Sequence, residues 1–206
     1  MIGAILLLTE ADDLGRALVR HSVQAGFRPC LGYRDDRSGA TALIAAAARA
    51  GQPGVAFRLA AEDGDTLRRA YTLATANLGP IVGAVLDLRA VPADGRLIGQ
   101  DDDTLRGSLS RPLQAAALFA REALQNIAPG GAWVVIGPGR EHASASVSAC
   151  RAGLAGLVAA LASEAAGRGL RVNLIDGEGE PDDLAATTAW LLSPAGRAVN
   201  GRHLGS

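Results

Sequence analysis

Lysine is missing from this sequence: the 20 residues that are lysine or arginine are all arginine. No step that needs a side-chain amine, whether a Schiff base or an ammonium that tunes a neighbouring phenol, has a residue to carry it. Aromatic residues are scarce, at 3%. Ala and Gly take their place, which suits closely approaching helices and strands rather than a core of large rings. An excess of one charge is also lacking. The formal net charge is -1, which gives no support for a nucleic-acid or membrane-surface partner. Cysteine occurs only as Cys30 and Cys150, outside any Cys-x-x-Cys or Cys/His cluster. Two buried free thiols in a reducing compartment are expected, and with them a cytoplasmic location. The apolar start, Ile2–Thr9, has no basic flank and is followed by acids. It reads as a buried strand rather than a signal peptide, and no apolar run is expected to span a bilayer.

What is present is a long, apolar, regularly alternating chain. Hydrophobic residues make up 49% of 206 residues, enough for one domain, residues 1–206, with a packed core. Strand-like runs are Ile2–Thr9, Arg28–Tyr33, Val55–Leu59, Ile81–Asp87, Ala132–Ile136 and Leu170–Ile175. Helical patterns lie between and after them, at Asp12–Ala25, Ala40–Ala50, Asp65–Asn77, Thr104–Ile127, Val147–Ala166 and Asp182–Leu192. Gly26, Gly51 and Pro129 punctuate them. Nearly continuous apolar strands alternating with helices predict an α/β fold: a Rossmann-like doubly wound parallel sheet of six or seven strands, with helices on both faces.

The stretches Leu6–Asp36, Gly79–Gly95, Gly131–Gly139, Ser148–Ile175 and Thr187–Gly205 follow one another in the order of a known family. Over nearly its whole length the chain resembles the short-chain dehydrogenase/reductases. The resemblance implies NAD(P) at the first strand–helix turn, where a Thr-Gly-x-x-x-Gly-x-Gly run lets backbone approach the pyrophosphate. Here the turn reads Thr9-Glu10-Ala11-Asp12-Asp13-Leu14-Gly15. Only Gly15 remains, and three carboxylates, Glu10, Asp12 and Asp13, stand where a dianion would bind. At ~5 Å and an effective dielectric near 20, each unit pair repels by about 3 kcal/mol. Asp12 and Asp13 are expected to cap the helix and complement its dipole instead. Arg34 falls where the family contacts a 2′-phosphate, and a solvated surface arginine is the plainer reading. Leu86-Asp87-Leu88-Arg89 replaces the family's Asn-Asn-Ala-Gly, with a local Asp87–Arg89 ion pair expected. No cofactor is expected to bind.

The family's catalytic set is a Ser, a Tyr, a Lys four residues later and an Asn in the preceding helix. The matching positions are Gly137-Pro138, Val147, Arg151 and Ser108. The only tyrosines, Tyr33 and Tyr71, have Arg37 and Thr75 four residues on. A lysine-free chain therefore carries no Tyr–Lys pair, nor the wider-spaced pair of enoyl reductases. No catalytic, cofactor-binding or metal residue is assigned. The segment Asp176–Pro181 runs almost directly into the last helix, so the substrate-covering lid is expected to be short, as is the terminal strand around Arg202–Leu204.

Arg140-Glu141-His142-Ala143-Ser144-Ala145-Ser146 is the best cluster for replacement chemistry, and is equally ordinary loop and cap composition. His21, His142 and His203 have no metal-ligand spacing. The resemblance implies oligomers built on the two long helices, Thr104–Ile127 and Val147–Ala166. The second carries Ala149, Ala152, Gly153, Ala155, Gly156, Ala159 and Ala160, small residues that permit close helix approach. The expectation is a non-catalytic subunit pairing with an active short-chain dehydrogenase/reductase, such as a hydroxyacyl-CoA dehydrogenase or 3-oxoacyl reductase, in a heterotetramer. Two other readings stay open: an NAD(P)-dependent oxidoreductase with unorthodox residues, and a module that binds an acyl or CoA-type ligand.

Overall fold

A computed structural model describes residues 3–61, 63–90, 97–140 and 144–205. Seven strands form one parallel sheet: β1 (Ala4–Leu8), β2 (Arg28–Tyr33), β3 (Val55–Arg58), β4 (Ile81–Asp87), β5 (Ala132–Gly137), β6 (Arg171–Asp176) and β7 (His203–Leu204). Six α-helices connect them: α1 (Asp13–Gln24), α2 (Arg37–Arg49), α3 (Gly64–Leu78), α4 (Asp102–Asn126), α5 (Ala145–Glu164) and α6 (Pro181–Leu192). The doubly wound fold expected from the alternation is what forms.

Side chains of β1 alternate between two cores. Ala4, Leu6 and Leu8 pack with α3, α4 and α5; Ile5 and Leu7 pack with α1 and α6. A strand buried on both faces has no polar side to show, which is why the strands read as continuous apolar runs. The strand order is β3-β2-β1-β4-β5-β6-β7. The chain winds outward from β1 to β3, then returns to the other side of β1. Beyond the carboxyl ends of β1 and β4 the connections diverge, which opens a crevice there. Thr9 and Asp87 stand at its floor.

Some details differ from expectation. Helix α2 begins at Arg37, three residues before Ala40, because Asp36 accepts a hydrogen bond from the Gly39 amide at 2.9 Å and also binds the Ser38 hydroxyl. Helix α5 is long and apolar enough by composition to cross a membrane, contrary to the expectation that no run is. Its buried stripe, Val147, Cys150, Leu154, Val158 and Ala162, belongs to the core, yet only a third of the apolar window is buried. Gly153 is explained inside the chain, since a Cβ there would lie 2.9 Å from Leu113 on α4; at Gly156 a Cβ would meet open space.

The connection from β6 to α6 is residues 177–180, the short lid expected. Arg171, 8% exposed, sits at the start of β6 and donates to the carbonyls of Leu191, Leu192, Ser193 and Gly196. One planar guanidinium thus serves the carbonyls that end α6.

Candidate functional site

At the turn from β1 into α1, Asp12 is the N-cap. Its carboxylate accepts from the Gly15 amide at 2.9 Å and occupies the positive end of the helix. Asp13 points outward to Arg16. Gly15 persists for a local reason: a Cβ there would fall 1.9 Å from the carbonyl oxygen of Glu10. The turn folds back on itself, and its remaining glycine serves that close approach.

Arg89 completes the closure. It follows β4 and reaches across the crevice to Asp12 at 2.8 Å, while holding Asp87 through two further contacts, at 3.0 and 2.9 Å. The Arg89 amide also donates to Asp87 at 3.0 Å, and Thr9 Oγ1 donates to it at 2.9 Å. The Asp87–Arg89 pair expected from sequence is present, and the arginine has a second partner 77 residues away. Burial alone would raise the Asp12 carboxyl, but the Gly15 amide and Arg89 outweigh it and hold the pKa below its ordinary 3.8. Burial likewise raises the Glu10 carboxyl, with Arg34 pulling the other way.

This arrangement revises the electrostatics expected of the turn. Of its three acids, Asp12 shares Arg89 with Asp87 and Asp13 pairs with Arg16, so the site is closed by an ion pair spanning it as well as by repulsion. A dinucleotide pyrophosphate would need the helix end that Asp12 fills, so the residues present do not fit NAD(P).

A second cluster stands at the carboxyl end of β6. Asp176, with 3% of its side chain exposed, accepts from Arg151 through both oxygens at 2.8 Å and from Arg140 at 2.9 Å; His203 Nε2 lies 2.6 Å away. Burial would raise this carboxyl; Arg151 and His203 more than reverse that and lower it below 3.8. Arg151, at the position matching the family's lysine, is thus spent on Asp176. Sequence reasoning missed this cluster. The one available signal was an acid, Asp176, directly after the strand-like run Leu170–Ile175.

The other positions matching the catalytic set are equally committed. Val147 is buried in the core, and the buried Ser108 hydroxyl donates to the Leu105 carbonyl. Gly137 ends β5, where a Cβ would lie 3.1 Å from Leu174. Tyr71 is 1% exposed beside Phe119, and burial pushes its phenol well above 10. Tyr33 ends β2, packed in the core on the α1 side. Cys30 and Cys150 are buried and free, the latter pushed up by burial to about 11. Ser144 caps α5 through the Val147 amide and lies 2.9 Å from the Ser146 hydroxyl; Glu141, His142 and Ala143 lie outside the described residues. His21 sits 3.2 Å from Asp182, and no metal-binding group of His, Cys, Asp or Glu occurs among the described residues.

The family described as enoyl-(acyl carrier protein) reductase matches residues 10–178. The chain belongs to the short-chain dehydrogenase/reductases. Its fold is that of a short-chain dehydrogenase/reductase from Serratia marcescens, at 19% identity and a TM-score of 0.88, covering 99% of this chain and 96% of that one. A dehydrogenase/reductase from Sinorhizobium meliloti matches with 22% identity and a TM-score of 0.87, covering 100% and 94%. A short-chain dehydrogenase from Burkholderia cenocepacia, in complex with NADP, matches with 22% identity and a TM-score of 0.86, covering 99% and 95%. A comparison with curated proteins by sequence gives no match.

Proposed function

We propose that this chain is a non-catalytic family member that pairs with an active short-chain dehydrogenase/reductase in a heterotetramer and stabilises it. The observation that carries the non-catalytic half is the Arg89 bridge between Asp12 and Asp87, laid across the first turn of the fold. The lack of any Tyr–Lys pair supports it.

Helix α5 supports the pairing half. It bears only two charged residues, Arg151 and Glu164, and the first is drawn in to Asp176. Ala149, Ala152, Gly156, Ala159 and Ala160 are exposed together along it. A near-uncharged, small-residue face of this length suits a neighbouring helix at close range. The test is co-expression with the dehydrogenases encoded beside it, followed by purification through a tag on this chain alone. Recovery of a dehydrogenase in fixed stoichiometry is expected. A chain that purifies alone, or only self-associates, rules the pairing out.

A second reading takes its support from the Burkholderia relative solved with NADP: an oxidoreductase using a nicotinamide cofactor through other residues. Calorimetry with NADH and NADPH separates the two, because the closed turn predicts no heat at millimolar cofactor. The third, an acyl or CoA-type ligand in the crevice, predicts a ligand-dependent rise in melting temperature.

A further inference from the structure

The two tryptophans of this chain are placed very differently. Trp133 lies in the core beside Phe119, whereas Trp190, on α6, is 41% exposed. Helix α6 buries Leu184, Ala185, Thr188, Leu191 and Leu192 toward the sheet and α1. Its other side carries Asp183, Ala186 and Trp190, three and four residues apart and therefore in one exposed line. Pro194 and Ala195, also exposed, extend that surface past the end of the helix, and no residue from Leu184 to Gly196 is charged. A large ring left in water on an uncharged surface is the usual centre of a protein contact.

The charges stand at the two ends of this surface. Asp183 comes seven residues before Trp190 and Arg197 seven after it. Arg197 stays at the helix end because Gly196 packs on the Trp190 carbonyl, where a Cβ would lie 2.6 Å away. Both residues are exposed, and neither side chain makes a hydrogen bond or ion pair with a described residue. Asp182, next along the chain, is already taken by Arg20 and His21. A surface with an acid at one end, a base at the other and a ring midway is complementary to its own reverse. A two-fold axis at Trp190 sets ring against ring and acid against base, and it runs the two helix dipoles antiparallel.

We propose that this chain dimerises with a second copy of itself through α6. The two helices lie antiparallel, Trp190 meets its counterpart at the two-fold, and Asp183 pairs with Arg197 of the partner subunit. Helix α6 packs on the opposite face of the sheet from α5, so the proposal does not rest on pairing with a dehydrogenase. A heterotetramer built on α5 would nonetheless need a second contact of this kind to join its two pairs.

The test is sedimentation velocity on the purified full chain without any partner, where a dimer is expected at micromolar concentration. Trp190→Ala should weaken it about tenfold or more. Asp183→Arg and Arg197→Asp should each weaken it about tenfold, since each sets two like-charge pairs across the axis. The double reversal restores both pairs and should return to within about threefold of the parent. All three side chains are exposed, so the circular dichroism of every variant should match the parent. A monomeric parent, a dimer untouched by Trp190→Ala, or a double reversal no tighter than the single ones overturns the proposal. Gly156→Arg distinguishes the two faces: a dimer lost in that variant and kept in Trp190→Ala lies on α5 and overturns the α6 contact.

Discussion

Both oxygens of the Asp176 carboxylate accept from a single Arg151 nitrogen, each at 2.8 Å, with 3% of the Asp176 side chain exposed. Removing one partner of such a pair leaves the other charge buried and unmatched. Asp176→Asn is expected to cost about 2–4 kcal/mol, lowering the melting temperature by roughly 5–15 °C. Arg151→Lys should cost less, since a cation remains. Differential scanning calorimetry of both variants measures this, and an unchanged midpoint for Asp176→Asn would show the cluster to be energetically idle.

The same carboxylate sets an acid limit. Its folded pKa is depressed below 3.8, as is that of Asp12. Each therefore contributes stability that is full above the unfolded value and is lost as pH falls through the folded one. Urea midpoints should hold from pH 7 to about 5 and fall steeply below about 4. The Asp176→Asn variant, less stable at neutral pH, should show a shallower acid decline than the parent.

Arg89→Ala removes the counterion of two carboxylates, one of them, Asp87, with 8% of its side chain exposed. A loss of about 1–3 kcal/mol is expected. Cofactor binding should not appear, because Glu10, Asp12 and Asp87 would then face the crevice uncompensated. Thermal melts with and without NADPH read both parts, and an NADPH-dependent rise in the variant would mean that Arg89 alone closes the site.

Restoring the family's pair should not restore its chemistry. Val147→Tyr with Arg151→Lys is expected to give no NADPH oxidation measurable by absorbance at 340 nm, since the first turn is unaltered. Val147 is buried in the core, so the double variant must first be shown folded by circular dichroism. Turnover in a folded double variant would count against the closed turn.

Gly156→Arg places a charged side chain on α5 where a Cβ meets open space. The melting temperature of the isolated chain should barely move, while recovery of a partner dehydrogenase should fall about tenfold or more. Retention of the partner would move the interface off this face.

The central elements were legible because β1, β2, β4, β5 and β6 are buried on both faces and the helices on one, so hydrophobic pattern alone marks them. The Asp12 cap and the Asp87–Arg89 pair were legible too, being local. What could not be read was the reach of Arg89 to Asp12, or the meeting of Arg140, Arg151 and His203 on Asp176. Those contacts span 25 to 77 residues of chain and depend on which strand lies beside which. A charge at a known position announces an ion pair; only the sheet order says with whom. The early start of α2 was missed for a smaller reason: the cap at Asp36 is followed by Arg37-Ser38-Gly39, which carry no apolar side chain to mark a helix.

Arg171 carries a consequence for how the molecule opens. Its guanidinium joins the first residue of β6 to the carbonyls at the end of α6 and the turn after it. A terminal helix with solvated carbonyls frays independently, and its amides exchange with solvent faster than those of the sheet. Here fraying would strip a buried cation of its acceptors, so α6 and β6 should exchange their amide hydrogens as one cooperative unit.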